Sequence, residues 1–280
     1  MVAPSSRELD LEHPRNIRTF VRELRPAVIV NAAAYTAVDR AEIEQSRCHA
    51  LNVEAPATLA EEAHRAGAIF LHYSTDYVFN GQQDTPYEES DTTEPLNYYG
   101  QTKLDGERAV QAAGSAHFVL RTSWLYGAHG NNFLNAIVRR ARLGAPLRIV
   151  NDQHGTPTWC RDVAEASTQI LQCSLHAERC DVPFGLYHLA ARGHTTWYDF
   201  GLAILAGDAR LGRIAVAPTV QAISTAQYPT GAMRPPFSAL NSDRVHLAFP
   251  VCMPPWRESL KQVLQELAAT PSTAEQTARS

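Results

Sequence analysis

The chain has 280 residues, 45% of them hydrophobic, which allows one large or two modest domains of ordinary globular composition. Its formal net charge of -4, with arginines scattered among acids, leaves no footprint for nucleic acid or an anionic membrane. No apolar run reaches the roughly 20 residues that span a bilayer. The opening "MVAPSSRELDLEHPR" has no apolar signal core, and the five cysteines lack metal-ligand spacing, so free thiols in a reducing cytoplasm are expected over a 173–180 bridge.

In chain order, "RNIRTFVREL" sets Ile17, Phe20, Val21 and Leu24 on one helical face. After Pro26, "AVIVNAAA" is a continuous apolar run of the kind that forms a buried parallel strand. A helical stretch follows over about 40–66, closed by Gly67. "AIFLHYSTDYVF" predicts a second buried strand, in which His72 reads as a satisfied core residue. The segment beginning at Tyr99 predicts a helix to about residue 112, "HFVLRTSWLYG" a third strand, and "NFLNAIVRRARLG" the next helix. "LRIVND" and "GLYHLA" predict short strands, "QYPTGAMRPPFSAL" an extended loop and "WRESLKQVLQEL" a final amphipathic helix. Strand and helix in alternation predict an α/β fold, a doubly wound Rossmann-type parallel sheet covered on both faces, with a smaller C-terminal lobe. The expected boundaries are 1–150 for a dinucleotide-binding domain, 151–268 for a mainly substrate-binding lobe and 269–280 for a disordered tail.

In such sheets ligands bind beyond the carboxyl ends of the strands. That edge gathers Thr75, Tyr99, Lys103 and Trp124. Tyr99 and Lys103 stand one helical turn apart, and Lys103 is one of only two lysines in a chain that otherwise uses arginine. A compact ammonium held about 4 Å from a phenol, at an effective dielectric of about 20, attracts phenolate by about 4 kcal/mol. That would lower the phenol by up to about three pK units before burial subtracts its share. Tyr99 could then trade a proton near neutrality, with Thr75 holding the reacting oxygen. Lysine suits this role better than the wide arginine fork. A solvated helix face is the plain alternative for the pair, and a core tryptophan that for Trp124.

Tyr-x-x-x-Lys after a strand-end Ser/Thr resembles the short-chain dehydrogenase/reductase superfamily. "VNAAAYTAVDRAE", "HYSTDYVFNG", "EPLNYYGQTKLDGE", "LRTSWLYG", "GNNF", "NDQHGTPT" and "YHL…TTWYDF" together resemble the dTDP-4-dehydrorhamnose reductase family, in order from about residue 7 to 268. The resemblance implies hydride transfer from NADPH or NADH to the C4 ketone of dTDP-4-dehydro-L-rhamnose. It implies Tyr99 as proton donor, Lys103 on the nicotinamide ribose and Thr75 on the reacting oxygen. Asp76 would line the sugar site, Trp124 would pack on the sugar, and Arg234 would face the nucleotide phosphates, although Phe237 departs from the family pattern beside it. Asp10 and Leu11 match the position at the cofactor adenine, and Ala34, Tyr35 and Thr36 the loop beside the cofactor. A homodimer with Mg2+ at its interface is allowed by the family, but no carboxylate cluster in the sequence demands it.

The family's opening strand and G-x-x-G-x-x-G turn, which take the cofactor pyrophosphate, have no counterpart here; no glycine precedes Gly67. Either the natural frame begins upstream or the chain is truncated and binds cofactor weakly; the intact downstream residues favour the first. Without that strand, "AVIVNAAA" is expected to carry an unpaired edge and an uncovered apolar face, with poor solubility and little NADPH binding. Two other functions remain open. A non-catalytic regulatory subunit of this fold would not need the Thr75/Tyr99/Lys103 set. Another sugar-nucleotide reductase or an epimerase would share it.

Overall fold

The computed structural model describes residues 1–114, 116–214 and 218–269. The first elements are α1 (Pro14–Leu24), β1 (Val28–Asn31), α2 (Val38–Ala41), α3 (Gln45–His49), α4 (Ala55–Ala66), β2 (Ile69–Thr75), α5 (Tyr98–Ala113) and β3 (His117–Thr122). There follow β4 (Leu125–Tyr126), α6 (Phe133–Arg142), β5 (Leu147–Val150), β6 (His154–Gly155), β7 (Thr158–Trp159) and α7 (Cys160–His176). The chain continues through β8 (Gly185–His188), β9 (Thr195–Thr196), α8 (Trp197–Arg210), β10 (Val220–Ile223), α9 (Asp243–Ala248) and α10 (Trp256–Ala269). Among the described residues no helix is long and apolar enough to cross a membrane. The disorder expected of the tail concerns residues that lie, Ala269 apart, outside the described ones; Ala269 ends α10.

Two compact units interleave along the chain. One comprises Met1–Thr122, Cys173–Leu189 and Thr230–Phe249; the other comprises Ser123–Gln172, Ala190–Pro229 and Pro250–Ser280.

The first unit is built on a parallel sheet in the order β1-β2-β3-β8. Side chains alternate across it, so Ile29, Phe70, Val119 and Leu186 share one face. Against that face pack Ile17 and Val21 of α1, Leu59, Ala60 and Ala63 of α4 and Val110 of α5. On the opposite face Phe118 and Tyr187 meet Phe249 with ring centroids 5.7 and 5.6 Å apart. The α/β fold with a parallel sheet therefore stands as expected.

Three local expectations change. The run "AVIVNAAA" supplies an edge strand rather than a fully buried one: among the described residues β1 pairs only with β2, and Val30 is 48% exposed. An edge leaves one row of amides and carbonyls without strand partners, so burial there is incomplete; the expectation of an unpaired edge and an uncovered apolar side is met. The single helix over 40–66 is in fact α2, α3, a π-helical turn at Ala50–Glu54 and α4, which Gly67 does close with φ 68°. The third strand stops at Thr122, because Trp124 takes a φ of 44° that strand geometry cannot continue.

The second unit carries three two-stranded pairings: β5 with β10 and β4 with β7 in parallel, and β6 with β9 antiparallel. Its core joins Leu134 and Val138 of α6, Phe200 and Ile204 of α8, and Trp256 and Val263 of α10.

Candidate active site

The carboxyl end of β2 and the first turns of α5 build one polar cluster within the first unit. Asn97 caps α5, its Oδ1 accepting from Gly100 N–H at 2.8 Å, while its Nδ2 donates to Met233 O at 2.7 Å. Gly100 is required there, since a Cβ would lie 2.2 Å from Tyr77 O. Helical spacing then sets Tyr99 and Lys103 on one face, beside Thr75 at the end of β2.

The Thr75 hydroxyl lies close enough to Tyr99 to favour phenolate, yet burial outweighs that and pushes the phenol up to about 12. The expected lowering by Lys103 is not what the geometry delivers. Lys103 is 2% exposed and its ammonium is spent elsewhere: Nζ donates to Tyr73 O at 2.6 Å and lies 3.3 Å from His72 Nε2. Burial draws this lysine down to about 8, against the opposing pull of Glu107 and Cys48. Coulomb attraction alone would lower the phenol; in the folded chain desolvation wins.

His72 is 1% exposed and satisfied, as its place in an apolar strand predicts, but one of its neighbours is Lys103. Ala33 N–H donates to Asn31 Oδ1 at 3.2 Å, so Asn31 Nδ2 faces His72 Nδ1 at 3.0 Å. A neutral ring then carries its hydrogen on Nε2, toward Lys103, and this contact favours an uncharged amine. Burial, with the Lys103 charge added, holds His72 well below the usual histidine range.

Asp76 is 2% exposed and burial pushes its carboxyl up to about 7. It accepts from Ser238 Oγ at 2.5 Å, and its Oδ1 lies within hydrogen-bond distance of Thr75 Oγ1 at 3.2 Å. Ser238, far away in the chain, carried no signal in the sequence. Arg234 is held by Asp39 of α2 in a two-pronged pair of 3.0 and 2.9 Å, donates to Ala232 O at 3.0 Å and lies near Tyr77. Its guanidinium is thus already engaged, a partner the sequence reading missed.

The remaining candidates divide. Tyr35 is buried, its N–H donating to Asn52 Oδ1 at 2.8 Å and its hydroxyl to Glu44 at 2.9 Å, with Ala34 half-buried and Thr36 exposed beside it. Asp10 turns onto Glu12 N–H at 2.9 Å, and Leu11 packs on the α1–α4 core. Trp124 lies in the second unit, half-buried, its indole stacked on Trp197 with centroids 3.5 Å apart and planes 4° from parallel. Gly155 permits that placement, because a Cβ there would come within 2.3 Å of the Trp124 ring.

Ser74 Oγ and Thr122 Oγ1, at the ends of β2 and β3, are buried hydroxyls without a partner. Strand alternation sends them to opposite faces of the sheet, Ser74 level with Arg121 and Thr122 level with Thr75. Among the described residues no group of three or more His, Cys, Asp or Glu could hold a metal ion.

Known proteins align with this arrangement. A family model described as "RmlD substrate binding domain" matches residues 1–269. The dTDP-4-dehydrorhamnose reductase of Salmonella typhimurium is 42% identical over 262 residues, 93% of this chain and 86% of that protein. The dTDP-4-dehydrorhamnose reductase of Bacillus anthracis, solved in complex with NADP, superposes with a TM-score of 0.86 at 30% identity, covering 94% of this chain and 89% of that one. The Clostridium acetobutylicum dTDP-4-dehydrorhamnose reductase gives 0.87 at 33% identity, covering 95% and 90%.

Proposed function

The chain belongs to the RmlD substrate binding domain family, and from that membership we propose that it is an NAD(P)H-dependent reductase of the C4 ketone of dTDP-4-dehydro-L-rhamnose, yielding dTDP-L-rhamnose. The observation that carries the reading is the placement of Tyr99 and Lys103 on one face of α5, beside Thr75 at the end of β2, with Lys103 buried one turn on.

Tyr99 is the proton donor. Its phenol, held high by burial, stays protonated at neutral pH, which is the form a reduction consumes. A sugar alkoxide is more basic than a phenolate, so the proton moves downhill to O4 without prior ionisation of Tyr99. Thr75 holds the same oxygen. NADPH or NADH, when bound, supplies the hydride. Lys103 holds the ribose end, and Ala34, Tyr35 and Thr36 flank it, with Asp10 and Leu11 toward the adenine. Asp76 and Trp124 line the sugar, and Arg234 exchanges its Asp39 partner for the substrate phosphates.

The substrate is a small nucleotide sugar and not a nucleic acid, in keeping with the charge of -4. All five cysteines are free, which suits the cytoplasm. A homodimer belongs to this reading, and Mg2+ enters it by family analogy alone, with no metal-holding group of three or more His, Cys, Asp or Glu among the described residues. The test is oxidation of NADPH or NADH with dTDP-4-dehydro-L-rhamnose. Wild type should turn over; Tyr99→Phe should lose turnover by about 10²- to 10⁴-fold. Turnover that survives Tyr99→Phe removes the proton donor from this scheme.

A further inference from the structure

The Thr75 hydroxyl has one hydrogen and two lone pairs. Tyr77 N–H takes one lone pair at 3.2 Å. Two partners remain for the other lone pair and the single hydrogen: Asp76 Oδ1 at 3.2 Å and the Tyr99 hydroxyl. Their assignment depends on Asp76. If the carboxyl is ionised, it can only accept, so Thr75 must donate to it, and Tyr99 must donate to Thr75. Both hydrogens that a reacting ketone oxygen needs then point away from it. If the carboxyl is protonated, its hydrogen belongs on Oδ1, because Ser238 Oγ already donates to Oδ2 at 2.5 Å. Asp76 then donates to Thr75, and the Thr75 hydrogen is released toward Tyr99 Oη and the reacting oxygen.

We propose that Asp76 is a positioning residue whose protonated carboxyl turns the Thr75 hydroxyl, and through it Tyr99, toward the ketone oxygen. The proposal rests on the reductase reading above. No proton is consumed at Asp76: hydride reaches C4, the Tyr99 O–H bond breaks, the new O–H bond forms on O4, and solvent later restores the phenol. In the proton transfer Asp76 fixes the direction of the donor chain, besides lining the sugar.

The surroundings leave Asp76 as the group that titrates near neutrality on this side of Tyr99. Its carboxyl is pushed up to about 7 by burial. Tyr99 and Tyr77, which feel its charge, are both raised far above neutral. Arg234 reaches Tyr77 and is neutralised by Asp39. Lys103, drawn to about 8, faces Tyr73 and His72 instead.

The test compares pH profiles of kcat. Wild type should lose kcat as pH rises through the Asp76 titration. In Asp76→Asn the Ser238 bond keeps the amide oxygen at the Oδ2 position, so the amide nitrogen donates to Thr75 at every pH. That variant should keep measurable kcat, with any lost sugar contact showing in KM, and should lack this alkaline limb, while any limb near 8 from Lys103 persists. Asp76→Ala should lower kcat by roughly ten- to a hundredfold relative to wild type below the Asp76 titration, and should show no alkaline limb from this site. Ser238→Ala removes a bond that holds the carboxyl down, so the limb should move to higher pH. A limb unchanged in Asp76→Asn, or unmoved in Ser238→Ala, overturns the proposal. Carboxyl ¹³C NMR of the ligand-free chain gives an independent readout: Asp76 should titrate near neutrality and shift in Ser238→Ala, and ordinary acidic titration overturns the proposal without any substrate. If Asp76 titrates as expected but wild type ignores dTDP-4-dehydro-L-rhamnose, the donor geometry stands and the substrate reading falls.

Discussion

Arg121 of β3 and Glu107 of α5 form a two-pronged ion pair of 2.9 and 2.7 Å, both side chains almost wholly buried. The pair fastens the Tyr99 helix to the sheet, and His188 Nε2 lies 3.5 Å from the same guanidinium. Removing one partner strands a charge in the core. Arg121→Met or Glu107→Gln should therefore cost about 3–5 kcal/mol, read as the shift in urea midpoint. A loss below about 1 kcal/mol for both variants would mean that water reaches the pair.

Gly106 faces the π-helical turn, and a Cβ there would stand 2.1 Å from Asn52 O. Asn52 in turn holds Tyr35 N–H at 2.8 Å and Thr102 Oγ1 at 3.1 Å. Gly106→Ala must push backbone against backbone, so it should destabilise by about 1–3 kcal/mol despite alanine's better helix propensity. A thermal midpoint equal to or above wild type would contradict this close approach.

Stability should fall on acidification. Burial pushes His188 down to about 3 and holds His72 well below its ordinary value. Both are neutral in the fold and charge on unfolding, so the unfolded chain binds more protons. Their contribution is present above the ordinary histidine value of about 6.5 and is lost as pH falls below it. Asp39 and Glu62, lowered chiefly by hydrogen bonds from Arg234 and Arg22, add the same sign at lower pH. Asp76 opposes them: its raised carboxyl favours the fold below about 4 and loses that advantage by about 7. Burial raises Glu89 and Asp162 as well, and lowers His117 with the other two rings; the deeply lowered His72 and His188 and the Arg-bonded Asp39 and Glu62 set the sign, so urea midpoints should drop between neutral pH and about pH 4, less steeply in His188→Gln. Flat midpoints would show that these rings are not held neutral.

The Trp124–Trp197 stack should be visible by circular dichroism, since indoles 3.5 Å apart couple their transitions. Trp197→Leu should abolish the coupled signal. If Trp124 needs that support to pack on the sugar, KM should rise several-fold while kcat changes little. Gly155→Ala, which drives a methyl into the Trp124 ring, should do the same. An unchanged KM in both variants would leave Trp124 with a purely structural part.

Much of the first unit was legible in sequence because its signals are local. Apolar runs gave β2 and β3, and Gly67 marked the end of α4. The spacing of Tyr99 and Lys103 gave one face of α5. Ser238 and Asp39 were not legible: each touches a site residue more than a hundred positions away, and such contacts leave no periodicity. Nor was the balance between attraction and desolvation at Lys103 legible. It depends on Tyr73 O and His72 taking up the ammonium, which is a matter of side-chain reach and not of spacing.

The interleaving of the two units bears on how the chain is made. The polypeptide switches between them at 122/123, 172/173, 189/190, 229/230 and 249/250. During synthesis the first unit stays unfinished until its last segment has left the ribosome, although β1, β2 and β3 emerge early. Ser238, the partner of Asp76, arrives with that last segment, so a nascent chain arrested before it would carry Tyr99 and Lys103 with their acid neighbour still unsupported.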